Sequence, residues 1–206
     1  MRYLDTGSRA PGETLAAWLM QNVDPHAREL RFQSGYFGDD PLRLVTTDLT
    51  RIAQSGLVHA IVGSNNGRTT RNSMTALCAA LALPNPRAKV RVVSFTSGLF
   101  HPKTYHVRRA DGSQSAYVGS ANLTLPGTTL NVEAGVALDT SAGDDPQLLA
   151  SIAAAIDAWL PRGTADGVYQ IASAADVTPL VTSGVLNVPV PPPVPRPAPV
   201  PPPPGP

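Results

Sequence analysis

The chain has 206 residues, of which 42% are hydrophobic and 15% charged, and this balance is ordinary for a globular domain with a core of its own. Its net charge of +1 supplies no overall field for an anionic partner, so any such attraction must come from local clusters of charge. The single cysteine, Cys78, excludes an internal disulfide framework and a cysteine-based zinc site, and its apolar surroundings indicate a small buried residue.

The first half of the chain predicts helices that alternate with strands. Apolar periodicity, together with glycine and proline at the ends, predicts helices over 13–23, 40–54 and 71–83 and strands over 29–37, 57–62 and 88–94. The second half opens with a predicted hairpin, because Asp111-Gly112 separates two β-type runs at about 99–109 and 115–119. A strand over 131–138 and a helix over 146–160 follow, and 161–183 stays unassigned. This order predicts an α/β fold, a mixed β-sheet flanked by helices.

The two ends of the chain carry separate expectations. The N-terminus has no apolar leader, and no apolar run approaches the ~18 residues that span a bilayer, so we expect a cytoplasmic location without membrane attachment. From Pro189 onward twelve of eighteen residues are proline, which predicts an extended, solvated segment. We therefore expect a catalytic domain over 1–183 and a disordered proline-rich tail over 184–206. The tail is either a tether or a docking peptide for an aromatic-grooved protein partner.

Four polar side chains are predicted to converge in the hairpin region. Side chains alternate along a strand, so His101 and Lys103 share a face, and Gly119 frees the backbone for Ser120 and Asn122 to reach a common point. A neutral imidazole can attack an electrophile, while the ammonium, hydroxyl and amide suit an anion that gains charge in the transition state. A phosphodiester is the natural substrate. The lysine argues against a metal at this point, so we expect metal-free chemistry without a cofactor.

His101-x-Lys103 followed by Gly119-Ser120-x-Asn122 resembles the signature of the phospholipase D superfamily. The resemblance implies a phospholipase D-like domain and a hydrolase that acts on phosphodiesters through a phosphohistidine. Because the motif occurs once, the chain is similar to the bacterial endonuclease and metal-independent restriction enzyme branch, whose active site forms between two subunits. Glu133 matches the acidic residue that orients the nucleophilic histidine in such enzymes. Arg108 stands where the family pattern has an aspartate, which weakens the lipase branch more than the nuclease branch.

Four further residues are candidates for substrate binding. Tyr36 either lines the cleft or packs in the core, and Ser64 lies in a Gly63–Gly67 loop that either offers amides to a phosphate or is a plain turn. Lys89 and Arg91 share a strand face. The other arginines that could extend this basic patch are Arg68, Arg71, Arg87, Arg108 and Arg109. The patch is either a groove for a phosphate backbone or a solvated face.

The remaining histidines have structural interpretations. His26 falls in a turn, His59 in a buried-looking strand, and His106 points away from His101.

These observations predict a metal-independent phosphodiesterase, first of all a DNA nuclease acting as a homodimer. Two alternatives stay open: a phospholipid hydrolase or transphosphatidylase, and a non-catalytic nucleic-acid-binding module of a restriction or defence system.

Overall fold

A computed structural model, which describes residues 1–8, 10 and 12–188, shows helices packed on both faces of one mixed sheet. Its strands are β1 (Arg2–Asp5), β2 (Ala27–Ser34), β3 (Leu57–Gly63), β4 (Ala88–Val93), β5 (Lys103–Arg109), β6 (Gln114–Gly119), β7 (Ala134–Asp139) and β8 (Val168–Ile171). Their order across the sheet is β1-β7-β6-β5-β2-β3-β4-β8. β2, β3 and β4 run parallel and the other neighbours antiparallel. The predicted fold class is confirmed.

The α-helices in the described part of the chain are α1 (Leu15–Asn22), α2 (Thr46–Ser55), α3 (Arg71–Ala80), α4 (Pro146–Asp157) and α5 (Val177–Thr182). Of these five, α1, α3 and α4 begin at a side chain that caps the first turn. The Thr14 hydroxyl accepts from the amide of Ala17 at 3.1 Å, and the Asp145 carboxylate accepts from Gln147 at 2.9 Å. These bonds satisfy amides that the first helical turn leaves unpaired.

The two faces of the sheet are covered differently. Leu30 and Phe32 of β2 pack with α1, α2 and α3 in the main core, where Trp18 meets Tyr105 and Tyr117 at ring separations of 6.3 and 6.1 Å. α4 covers the other face, with smaller apolar clusters beneath it. The strand alternation therefore assigns odd-numbered residues of β2 and β3 to the α4 side.

A buried polar network joins α4 to that second face. The Asp157 carboxylate lies 2.6 Å from His59 Nδ1 and 3.0 Å from Arg31 Nε, and Arg31 also pairs with Glu29 at 2.6 Å. Burial opposes ionisation of Asp157, yet the hydrogen bonds from His59 and Arg31 outweigh it and keep the pKa of the carboxyl below 3.8. The network fixes the end of α4 and occupies His59 structurally.

Several predicted boundaries were wrong. β2, α3 and α4 each end three residues earlier than predicted, at Ser34, Ala80 and Asp157. β5 begins at Lys103 rather than near 99, since Pro102 has no N–H to donate to a ladder. The region 40–54 divides into a short helical turn, Asp40–Leu44, and α2, with Val45 between them. The strand predicted over 131–138 begins at Ala134, so Glu133 immediately precedes it.

The structure also adds elements that were not predicted. β1 and β8 extend the sheet at its two edges, and α5 covers α3. Residues 184–188, placed in the tail by the sequence analysis, pack against the domain. Leu186 is 1% exposed, and the Asn187 carbonyl accepts from the amide of Arg71 at 2.9 Å. The proline-rich stretch from residue 189 lies outside the described residues.

Across residues 1–8, 10 and 12–188, no helix has the length and apolar character needed to cross a membrane.

Candidate active site

The site lies at one end of the central strands, where β2 ends and β5 begins. Lys103 is the register partner of Ser34, the last residue of β2. A Cβ added at Gly35 would come within 2.7 Å of the His101 ring and 3.2 Å of the Asn122 side chain. Three segments that are far apart in sequence thus meet at one glycine, whose missing side chain makes room for the motif.

His101 is exposed at this edge and held by an aromatic contact. Its ring lies edge-on to Tyr36, with centroids 5.3 Å apart and an interplanar angle of 68°. Partial burial, and then the neighbouring Lys103 ammonium, lower the pKa of His101 from its ordinary value. Both effects favour the neutral imidazole, which is the form that can act as a nucleophile.

Lys103 is nearly buried, with 6% of its surface exposed, and its Nζ donates to the His101 carbonyl at 2.7 Å. Burial lowers the pKa of Lys103, and the Glu133 carboxylate opposes that shift. The predicted pairing of His101 and Lys103 thus takes the form of an ammonium tied directly to the backbone of the histidine.

Asn122 is fixed by the chain around Tyr36. Its Oδ1 accepts from the Tyr36 amide at 2.9 Å, which turns the two N–H bonds of the side-chain amide away from that contact and leaves them to donate elsewhere. Ser34 locks the same two segments together, since its hydroxyl donates to the Tyr36 carbonyl at 2.5 Å and accepts from the Leu123 amide at 2.8 Å. Sequence reasoning missed Ser34, although it lies only two residues before the predicted site residue Tyr36.

Ser120 and Glu133 form a second polar pair beside the site. The Ser120 hydroxyl donates to the Glu133 carboxylate and accepts from the Ala134 amide at 3.0 Å. Asn131 Nδ2 donates to the other carboxylate oxygen at 3.0 Å. Within the described part of the chain no hydrogen bond joins Glu133 to His101 of the same subunit, so the orienting role of Glu133 stays a prediction.

The remaining substrate-binding candidates differ in whether their side chains reach the site. Tyr36 lies against His101, as above. Ser64 lies close to the site in the fold, because Gly63 packs on the Gly35 carbonyl, but the residue is only 4% exposed and its hydroxyl is directed at the Val93 carbonyl 3.5 Å away. Ser64 therefore supports the loop rather than presenting a donor to substrate, which corrects that prediction.

Lys89 lies at the other end of the sheet from the motif. It pairs with His59, three residues before the level of Ser34 and Lys103, which is about 10 Å along the strands. Its position on β4 also points it to the α4 side, whereas Lys103 shares the face of Tyr105. The prediction that Lys89 contributes to the site is wrong.

Two further residues of the predicted basic patch are also engaged away from the motif. Arg91 is 9% exposed and donates through Nη2 and Nε to the Leu160 carbonyl, at 2.7 and 3.1 Å, beyond the end of α4. Arg109 bonds Asn22, Ser115 and Asp139. Arg91 thus secures a helix end and is not a substrate contact, so the sequence-based grouping around the motif is corrected.

In residues 1–8, 10 and 12–188, no three or more histidine, cysteine, aspartate or glutamate side chains come together as a metal-binding group.

The family model described as "Cardiolipin synthase, PLD-like domain" matches residues 21–158, which include every residue of the motif. The chain belongs to the phospholipase D superfamily. This membership confirms the resemblance seen in the motif and supports phosphodiester chemistry as the general reaction. Comparison with curated proteins finds no match.

Two solved structures show the same phospholipase D-like fold. The phospholipase D family member Nuc from Salmonella typhimurium aligns over 84% of this chain and 97% of its own, with 14% identity and a TM-score of 0.56. NucT from Helicobacter pylori aligns over 76% of this chain and 92% of its own, with 14% identity and a TM-score of 0.53. Both chains are therefore covered almost end to end by this one domain.

The departure from the superfamily pattern falls outside the site. Arg108 lies five residues beyond Lys103 on β5, about 17 Å along the strand, where it is exposed and 3.7 Å from Glu29. An aspartate at that position would not reach His101 in this subunit. Its replacement leaves the phospholipase D-like cluster intact.

Gly35 gives a sharp test of the close packing in this cluster. Gly35→Ala would drive a methyl group against the His101 ring and the Asn122 amide, so we expect phosphodiesterase activity to fall by about tenfold or more, as happens when a reacting group is misplaced by even 1 Å. Gly143→Ala serves as control, because nothing lies within 4 Å of a Cβ there, its positive φ of +87° imposes a cost in stability, and it lies beyond the end of β7 that is remote from the site. Equal activities of Gly35→Ala and wild type, at equal folded protein by circular dichroism, would contradict the geometry.

Proposed function

We propose that this chain is a metal-independent phosphodiesterase, a DNA nuclease that acts as a homodimer through a phosphohistidine on His101. The observation that carries the proposal is the hydrogen bond from Lys103 to the His101 backbone, with the Asn122 amide held beside them at the open end of the central strands. A neutral imidazole beside a buried ammonium is what in-line attack on a phosphodiester requires.

In the first step the neutral imidazole of His101 attacks phosphorus, and the bond from phosphorus to the leaving oxygen breaks. His101 of the partner subunit, protonated at that moment, gives its proton to that oxygen. Lys103 and the N–H bonds of Asn122 stabilise the negative charge on the non-bridging oxygens, which is greatest in the pentacoordinate transition state.

In the second step water attacks the phosphohistidine. His101 of the partner subunit, now neutral, takes the proton from water, the phosphorus–nitrogen bond breaks, and His101 leaves as a neutral imidazole. Both histidines return to their starting states, so the cycle balances without a metal or an external base. The Ser120–Glu133 pair borders the same space and is assigned to orienting the histidine.

The surface around the site supports a second copy as the source of the other histidine. Leu125, Leu130 and Val132, between Asn122 and Glu133, are 46%, 71% and 78% exposed, and Leu99 beside His101 is 49% exposed. Large exposed apolar side chains in the segments that flank a site are typical of an interaction surface. A two-fold axis that passes next to these exposed apolar residues would bring the two copies of His101 together and bury the apolar side chains between the subunits.

Mixing two proteins tests the shared site. If wild type and His101→Ala are co-refolded in equal amounts, we expect random pairing to leave both histidines in about a quarter of the dimers. Activity per wild-type subunit should then fall to about half of that of wild type refolded alone. Unchanged activity per wild-type subunit would show that one chain carries a complete site.

The reaction itself is tested by incubating the wild-type chain with plasmid and single-stranded DNA in EDTA. Cleavage under these conditions supports the proposal, and full dependence on added divalent metal contradicts it. The description of the matching family, cardiolipin synthase, favours a phospholipid as the second candidate substrate. Phospholipid vesicles in the same buffer therefore form a parallel arm. Stable binding of DNA with no turnover in either arm would favour the non-catalytic binding module instead.

A further inference from the structure

An aromatic platform adjoins the loop that carries His101, on the α4 side of the sheet. Trp159, just past the end of α4, is half-buried and meets Phe100 edge-on, with centroids 4.8 Å apart and an interplanar angle of 77°. Phe95 lies on the same indole at 6.3 Å. Because Phe100 immediately precedes His101, this indole packs against the loop that carries the catalytic histidine.

An exposed arginine lies over the Trp159 ring. The Arg162 guanidinium lies 3.9 Å from the centroid of the Trp159 ring, and Arg162 is exposed. In the described part of the chain no carboxylate pairs with it, whereas the exposed Arg43 has Asp40 at 3.7 Å. A guanidinium stacked on an indole is held flat, so its outer face offers a planar, cationic surface to a further flat group.

The position of this pair separates it from the superfamily's own motif. The family match ends at residue 158, one residue before Trp159. Nothing in the phosphodiester chemistry at His101 uses the indole or Arg162. Their arrangement therefore needs a separate explanation, and contact with the part of the substrate that flanks the reacting phosphate provides one.

We propose that Trp159 and Arg162 form a stacking subsite for an unpaired base of single-stranded nucleic acid, next to the scissile phosphate. The inference rests on the proposed function and narrows its substrate to strands with unpaired bases beside the cleavage point. A base stacks on the outer face of the guanidinium, while the positive charge draws the adjoining phosphate. A paired base in a duplex cannot present its face in this way.

Binding to a cleavage-deficient full chain tests the subsite. Against a His101→Ala background, we would measure the fluorescence anisotropy of a labelled single-stranded oligonucleotide, and of a hairpin duplex of equal length, with and without Arg162→Ala. Arg162→Lys keeps the charge but loses the plane, and Arg87→Ala removes an exposed arginine at the other end of the sheet. Tryptophan emission gives a second readout, because Trp18 is 2% exposed, whereas Trp159 lies directly beneath the guanidinium on which the base would stack.

We expect the single strand to quench tryptophan emission and to bind more tightly than the hairpin. Arg162→Ala and Arg162→Lys should each weaken its binding by about fivefold or more, with Arg87→Ala within about twofold of the background. Full affinity in Arg162→Lys, or equal effects of Arg162→Ala and Arg87→Ala, would overturn the subsite while leaving DNA cleavage by the wild type untouched. A wild-type chain that neither binds nor cleaves DNA would remove the proposed function and this inference together.

Discussion

His101→Ala is expected to abolish phosphodiesterase activity, with a loss of about 10³-fold or more, because it removes the nucleophile of the first step and, in the dimer, the acid that protonates the leaving oxygen. Initial rates on single-stranded DNA in EDTA, at equal folded protein, give the measurement. The fold should survive, since the ring is exposed and its one aromatic contact is with Tyr36.

A second histidine provides the matched control for this change. His26 is exposed, and its backbone N–H and carbonyl make hydrogen bonds with Asp24 and Ala110. His26→Ala should therefore keep the wild-type rate within about twofold, as surface substitutions away from a site generally do. Substantial cleavage by His101→Ala, equal to that of His26→Ala, would place the chemistry elsewhere or attribute it to a contaminant.

Lys103→Met is expected to lower activity by about 10²- to 10³-fold, the effect of deleting one preorganised donor to a developing charge. Methionine keeps the length of the chain in a position that is 6% exposed, and it relieves the desolvation of a buried ammonium, so thermal unfolding should change little. Removal of the ammonium also removes one cause of the lowered pKa of His101. The midpoint of His101, followed by NMR, should therefore rise.

The chain has one other lysine, which makes the comparison direct. Lys89 is exposed near the start of β4 on the opposite side of the sheet, so Lys89→Met should leave the rate of cleavage unchanged. Loss of activity in Lys89→Met to the same degree would show that a general positive charge, rather than the local tie to His101, drives the reaction.

The contrast between these two lysines shows what the sequence could and could not predict about the site. The convergence of Lys103 and Asn122 follows from local rules, namely strand alternation, a two-residue turn and a glycine that ends a strand, and His101 lies just before that strand. Whether Lys89 lies near the site depended instead on which end of β4 is level with the site. Lys89 is at the start of β4, whereas the site lies where the parallel strand β2 ends. That is a property of the whole sheet and leaves no local signal.

The same distinction explains the elements that were missed. β1 and β8 have four residues each and pair at the two edges of the sheet, too short for a clear alternation. Ser34 has an ordinary strand context, and its role appears only when Leu123, far along the chain, is brought to its hydroxyl. The hydrogen bond between these two segments is a tertiary contact, and the periodicity of the sequence gives no signal for it.

The stereochemical course at phosphorus tests the central claim most directly. A phosphorothioate diester of known configuration would be hydrolysed by the wild-type chain in ¹⁸O-labelled water, and the configuration of the product determined. Attack by His101 followed by attack of water makes two in-line displacements, each of which inverts phosphorus, so the account predicts net retention. Net inversion would show a single direct attack by water and would contradict a phosphohistidine at His101.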